Sequence, residues 1–133
     1  MRKILGGVIL FMHNTEIKLY DSELKVMEIL WEHGSITAKK IAEILAKQTD
    51  WSKTTTYTVI KKCIDKGAAE RIEPDFICRP IITKEQAREY ETTELINKMY
   101  GGAADSLVAS ILGRKNLTAD EIEKLKQIVS DLE

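Results

Sequence analysis

Apolar positions Leu24, Met27, Leu30 and Trp31 recur at helical spacing in DSELKVMEILWEHG, and Asp21 or Ser22 can cap the helix they predict. Gly34 ends it. In SITAKKIAEILAKQTD, Ser35-Ile36-Thr37 predicts a short extended piece, and Thr37 caps a second helix with Ile41, Ala42, Leu45 and Ala46 facing inward. Thr49-Asp50 breaks that helix, and Ser52 caps a third running to Lys66-Gly67. The period then shortens: Arg71-Ile72-Glu73 and Phe76-Ile77-Cys78 alternate around Pro74-Asp75, predicting a short hairpin. Three helices followed by a two-stranded hairpin is the outline of a winged helix-turn-helix.

After Pro80 the helical period returns in TKEQAREYETTELINKMY, with Thr83 as cap and Gln86 at the capping-box position. Gly101-Gly102 interrupts it. A shorter helix follows with Leu107, Val108, Ile111 and Leu112 apolar, then a last one opened by Thr118 and Glu121. In the last helix Ile122, Leu125, Val129 and Leu132 form one stripe with Ile128 beside it. Three short helices make a poor core of their own, and pairing with a second copy would bury these stripes. The predicted architecture is mainly α with a small β-hairpin wing. It comprises an N-terminal tail (1–18), a winged-helix domain (19–82) and a helical dimerisation region (83–133).

Charge sharpens this division. The whole chain carries a formal net charge of −1. Ser35–Lys66, however, holds seven lysines against three acids, a balance of +4, and Lys84–Glu133 holds seven basic against ten acidic residues, a balance of −3. A basic half joined to an acidic one is the footprint of a nucleic-acid-binding module with an appended element.

The stretch WSKTTTYTVIKK explains where that charge acts. On a helical wheel Thr56, Val59, Ile60 and Cys63 share one side, while Thr54, Thr58, Lys61, Lys62 and Asp65 share the other. Tyr57 and Thr55 lie at the two borders, and Lys53 sits near the N-terminal end. Short hydroxyls let a backbone approach a DNA major groove, bond to phosphates or base edges, and offer a methyl to thymine. Lysines neutralise phosphates and release counterions. The expected DNA contacts are Ser52, Lys53, Thr54, Thr55, Tyr57, Thr58, Lys61 and Lys62, with Arg71 and Arg79 reaching from the hairpin. A lysine-bearing amphipathic helix taken alone is usually a solvated surface. The two preceding helices, the hairpin and the charge asymmetry favour DNA over a winged helix used for protein contacts. Trp31 and Trp51 read as core or helix-junction residues.

Other chemistry finds little support. Cys63 and Cys78 stand in no CxxC pair and fit reduced thiols better than a bridge. With His13 and His33 as the two histidines, metal-ligand spacing is lacking, and no cofactor is expected. Neither a nucleophile–base arrangement nor a glycine-rich phosphate loop argues for an enzyme. At the N-terminus, Arg2 and Lys3 precede an apolar run from Ile4 to Met12. That run is too short to span a bilayer and is followed by no small-x-small cleavage site. It reads as a tail, or as sequence preceding a start at Met12, and the protein is expected in the cytoplasm without a membrane partner.

LYDSELKVMEILWEHGSITAKKIAEIL, WSKTTTYTVIKKCIDKG and LINKMYGGAADSLVASIL together resemble the BlaI/MecI family of penicillinase repressors, in the same segment order from about Leu19 to Leu132. The resemblance implies a homodimeric repressor whose third helix reads a palindromic operator, through Thr54, Thr55, Tyr57, Thr58 and Lys62 in this chain. It implies a dimer interface in the C-terminal helices, here Leu95, Met99, Leu107, Ile111, Ile122, Leu125, Val129 and Leu132. It also implies release when a sensor-linked protease cuts that region, here around Ser110-Ile111. Tyr57 stands where some relatives carry a basic residue, and Ser110-Ile111 where some carry Asn-Phe. The paired C-terminal cysteines of copper-responsive relatives are absent from QIVSDLE.

Overall fold

The computed structural model of the protein describes residues 16–132; the run Ile4–Met12, the start at Met12 and most of the expected tail lie outside them. The described elements are α1 (Asp21–His33), β1 (Ile36–Thr37), α2 (Ala38–Gln48), α3 (Lys53–Asp65), β2 (Ala69–Ile72), β3 (Ile77–Pro80), α4 (Lys84–Met99), α5 (Ala104–Leu112) and α6 (Ala119–Asp131). The chain divides after Thr92 into two compact units.

In the first unit, capping chemistry sets the helix boundaries. The start of α1 differs from expectation: Tyr20 is the flanking residue, and its N–H donates to Glu23 Oε1 at 2.9 Å. Asp21 and Ser22 fall inside the first turn, where the Glu23 carboxylate closes the start of the helix by accepting the Tyr20 N–H. At the other end Gly34 adopts φ +82°, and its N–H returns to the Leu30 carbonyl at 2.7 Å. Thr37 caps α2 by accepting the Lys40 N–H at 3.2 Å, and Ser52 caps α3 by accepting the Thr55 N–H at 3.1 Å. On α2 the buried stripe is Ala38, Ile41, Ala42 and Leu45; Ala46 is exposed, and half-buried Ile44 packs against the core instead. Ala46 sits about 80° around the wheel from Ala38, at the margin of that stripe.

The buried face of α3 is Thr56, Val59, Ile60 and Cys63, as its sequence predicts. It packs on α1 and α2 through Met27, Leu30, Ile41 and Leu45, all fully enclosed. The hairpin strands run Ala69–Ile72 and Ile77–Pro80, so Glu73 and Phe76 belong to the turn rather than to the strands. β1 pairs antiparallel with β3 on its other edge, giving a three-stranded sheet of order β1-β3-β2. The short extended piece before α2 is thus the sheet's third strand. Trp31 fastens α1 to the chain leaving the sheet, its Nε1 donating to the Ile82 carbonyl at 2.9 Å. The lead-in to α1 also packs: Leu19 is buried and Ile17 lies against the core.

The second unit carries α5, α6 and the end of α4. Gly101 and Gly102 take φ +59° and +86°, which ends α4 at the predicted position. Thr118 and Glu121 form the predicted reciprocal cap of α6, at 3.0 Å in both directions. Neither α5 nor α6 buries a single residue. Among the described residues no helix is long and apolar enough to cross a membrane.

Candidate nucleic-acid interface

The solvent face of α3 is built by its cap and its inward stripe together. Burial of Thr56, Val59, Ile60 and Cys63 fixes the helix rotation, which leaves Thr54, Thr55, Thr58, Lys61 and Lys62 exposed in one band. The hydroxyls are ordered among themselves. Ser52 Oγ donates to Thr55 Oγ1 at 3.0 Å, and Thr58 Oγ1 donates to the Thr54 carbonyl at 3.0 Å. Thr55 therefore keeps its own O–H to give, whereas Thr58 presents oxygen lone pairs and a methyl.

The hairpin stands beside this band. Phe76, at φ +51°, points its ring edge-on against Tyr57 with centroids 5.7 Å apart, and its carbonyl accepts the Ala38 N–H at 2.9 Å. The Arg71 guanidinium lies 3.7 Å over the Phe76 ring, and Lys53 sits 5.7 Å from the Tyr57 centroid. Phe76 thereby ties the start of α2, the middle of α3 and strand β2 into one surface. Between helix and hairpin runs an open groove of about 480 Å³, walled by Thr54, Tyr57, Thr58 and Lys61 on one side and Arg71 and Phe76 on the other.

All ten expected DNA-contact residues belong to this first unit, and all but half-buried Tyr57 are exposed. Eight lie on α3 or at its cap; Arg71 and Arg79 lie on β2 and β3. Phe76 was not among the expected site residues. An aromatic at the hairpin turn, five residues after an arginine, was the available signal. Asp65 is on the expected outward face, but its pairing with Lys61 at 3.0 Å was not expected, nor were Glu70 on Arg79 at 2.5 Å and Glu73 on Arg71. Glu70 faces Arg79 directly in the strand register, a pairing readable once the hairpin is aligned.

Lys66, which contributes to the basic count of this stretch, turns inward. Its Nζ meets Glu23 Oε1 at 2.5 Å and the Lys18 carbonyl at 2.7 Å, with the Tyr20 ring 4.4 Å away. Cys63 and Cys78 are buried free thiols. Burial, with Glu23 adding to it, pushes the Cys63 thiol from 9.0 up to about 12. Burial likewise pushes Cys78 up to about 11, against the lowering effect of Arg71. Among the described residues no cluster of His, Cys, Asp and Glu could hold a metal ion.

In the second unit none of the eight expected dimerisation residues is buried. Leu107 and Leu125 are half-buried, Met99 is 67% exposed and Leu132 82%. Leu112, Ile122, Leu125 and Val129 line an apolar groove of about 480 Å³ along α5 and α6. Ser110 and Ile111 lie exposed in the last turn of α5.

A family model described as penicillinase repressor matches residues 19–131. The penicillinase repressor of Bacillus licheniformis is 30% identical over 116 residues, 86% of this chain and 91% of that protein. The methicillin resistance regulatory protein MecI of Mammaliicoccus sciuri is 32% identical over 121 residues, 90% of this chain and 98% of that protein. Among solved structures, the DNA binding domain of the repressor BlaI superposes with a TM-score of 0.50 at 30% identity, covering 53% of this chain and 89% of that one.

Proposed function

The chain belongs to the penicillinase repressor family, and from that premise we propose that it is a homodimeric transcriptional repressor that binds a palindromic operator and is released by a signal acting on its C-terminal half. The family is one of repressors, not enzymes. The observation that carries the reading is the band on α3, where rigidly capped hydroxyls lead into two exposed lysines beside a hairpin that bears arginines. Threonines at the start of such a helix suit base edges and lysines further along suit phosphates. In a two-fold dimer the two copies of α3 would enter successive major grooves on one face of the duplex, about one or two helical turns apart, and exclude polymerase.

Dimerisation through the second unit is supported by its unburied apolar stripes, which an isolated chain would leave in water. Release by a sensor-linked protease at Ser110-Ile111 fits their exposure, although the bond lies in a helical turn that must open before it can be cut. A β-lactam signal is the reading that the relatives' names favour.

Fluorescence anisotropy against the protein's own promoter region and a shuffled duplex, at two salt concentrations, tests the reading. Tight, salt-sensitive and sequence-selective binding is expected. Equal weak binding to both duplexes would overturn operator recognition, and no binding at either salt would favour a winged helix used for protein contacts.

A further inference from the structure

Three of the five cations on the expected DNA face are already held by carboxylates. Lys61 sits 3.0 Å from Asp65 on the next turn of α3. Arg79 donates to Glu70 at 3.0 and 2.5 Å across the hairpin, and Arg71 pairs with Glu73 at the turn. Lys53, which lies over the Tyr57 ring, and Lys62 have no carboxylate partner among the described residues. Every one of the three pairs is open to solvent.

We infer that Asp65, Glu70 and Glu73 are specificity-determining residues: they hold down affinity for DNA of arbitrary sequence, so that only a duplex whose bases engage α3 recruits all three paired cations. The inference rests on the DNA-binding reading above. Its physical basis is an exchange. An exposed ion pair is weak in water, so a phosphate can displace the carboxylate. The displaced carboxylate stays tethered, however. Asp65 remains one helical turn from Lys61, Glu70 directly opposite Arg79, and Glu73 two residues from Arg71. Each therefore stays within a Debye length, about 8–10 Å, of the phosphate that replaced it, and repels it.

That repulsion weighs differently on two kinds of DNA. Binding to arbitrary sequence is phosphate neutralisation and little else, and a cation paired with its own acid has less counterion release to contribute. On an operator, base contacts from α3 fix the register and hold each cation against one phosphate at hydrogen-bond distance, where the direct charge-assisted bond prevails. The acids thus supply the repulsive element that separates right from wrong partners. A net charge of −1 on the whole chain accords with a protein that does not coat DNA indiscriminately.

The test uses the full-length protein and the variants Asp65→Asn, the triple Asp65→Asn/Glu70→Gln/Glu73→Gln, and Glu32→Gln on α1 as a net-charge control away from the expected contacts. Anisotropy is read on the promoter duplex and on a shuffled duplex of equal length at two salt concentrations. The triple variant should bind the shuffled duplex about tenfold tighter with a salt slope steeper by about 2–3, while operator affinity rises no more than about threefold. Asp65→Asn should move the same ratio in the same direction by a smaller factor. An unchanged operator-to-shuffled ratio in both variants, or a change matched by Glu32→Gln, overturns the inference while leaving the repressor reading intact. Absence of sequence preference in the unaltered protein sinks the repressor reading itself, and this inference with it.

Discussion

At the end of α3, Lys66 turns its ammonium away from the band that holds Lys61 and Lys62 and toward Glu23, whose residue is only 3% exposed. A carboxylate so far from water is tolerated because a cation and the Tyr20 N–H both meet it. Lys66→Ala should therefore act on stability, costing about 2–3 kcal/mol in urea unfolding, and leave the salt slope of DNA binding unchanged. Lys62→Ala should do the reverse, weakening binding across sequences and lowering the slope by about one. A slope change in Lys66→Ala would return that side chain to the DNA face. Nothing in KKCIDKG marks Lys66 as different from its neighbours; only the fold brings Glu23, 43 residues earlier, within reach. The two thiols make a second prediction. Both titrate higher in the folded chain than their ordinary 9.0, Cys63 at about 12 and Cys78 at about 11. Their contribution to stability is therefore complete below about pH 9 and is lost as pH rises through 11–12, since the unfolded chain ionises first. Alkaline unfolding curves should fall off above pH 9. A thiol reagent at pH 8 should label neither cysteine before the chain opens; rapid labelling of the native protein would contradict the buried placement.

On the scale of the element, α3 accommodates its β-branched threonines by burying one and bonding two others locally. Thr56 is buried, Thr55 accepts from the cap serine, and Thr58 bonds back to the Thr54 carbonyl. Replacing Thr55 and Thr58 together by alanine removes two of the three outward threonine hydroxyls of α3 while raising helix propensity, so the fold should be unharmed. The double variant should keep salt-sensitive binding to any duplex and lose its preference for the operator by about 10–100-fold. Retained preference in anisotropy would mean that another element reads the sequence. The helices, their caps at Thr37, Ser52, Thr83 and Thr118, and the inward stripe of α3 were legible because each is set by residues within four positions. The start of α1 differs because Glu23, from inside the helix, accepts the Tyr20 N–H and makes Tyr20 the cap position. The sheet was read one strand short, since two residues at Ile36–Thr37 declare a strand only through their partner, β3. The groove beside α3 was half legible: its charges lie in the sequence, whereas the joining of Tyr57, Phe76 and Arg71 depends on a turn with φ +51° at a non-glycine residue.

The whole molecule contains one unit with a closed core and another without. Met27, Leu30, Ile41, Leu45, Ile60 and Ile82 seal the first, while the second leaves Val108, Ile111 and Leu112 of α5, Ile122, Ile128 and Val129 of α6, and Leu132 just after it in water. Burial of a few such side chains against a second copy, at about 1.5–3 kcal/mol each, is the favourable term available to association. Deleting Gly101–Glu133 should therefore leave a folded monomer, because every residue of the first core precedes the cut. That monomer retains the complete α3 band and hairpin, so its contacts with one half-site are those of the full chain. If the chain pairs as proposed, what the monomer loses is the second contact made at high effective concentration, which is worth about 10²–10⁴ in affinity. Sedimentation should show one chain per particle, and operator affinity should fall by about that factor while binding to a single half-site stays the same. Half-site binding is the informative control: if it drops too, the C-terminal helices shape the first unit rather than pair it. Operator binding at full strength by the truncated chain would break the link between association and repression.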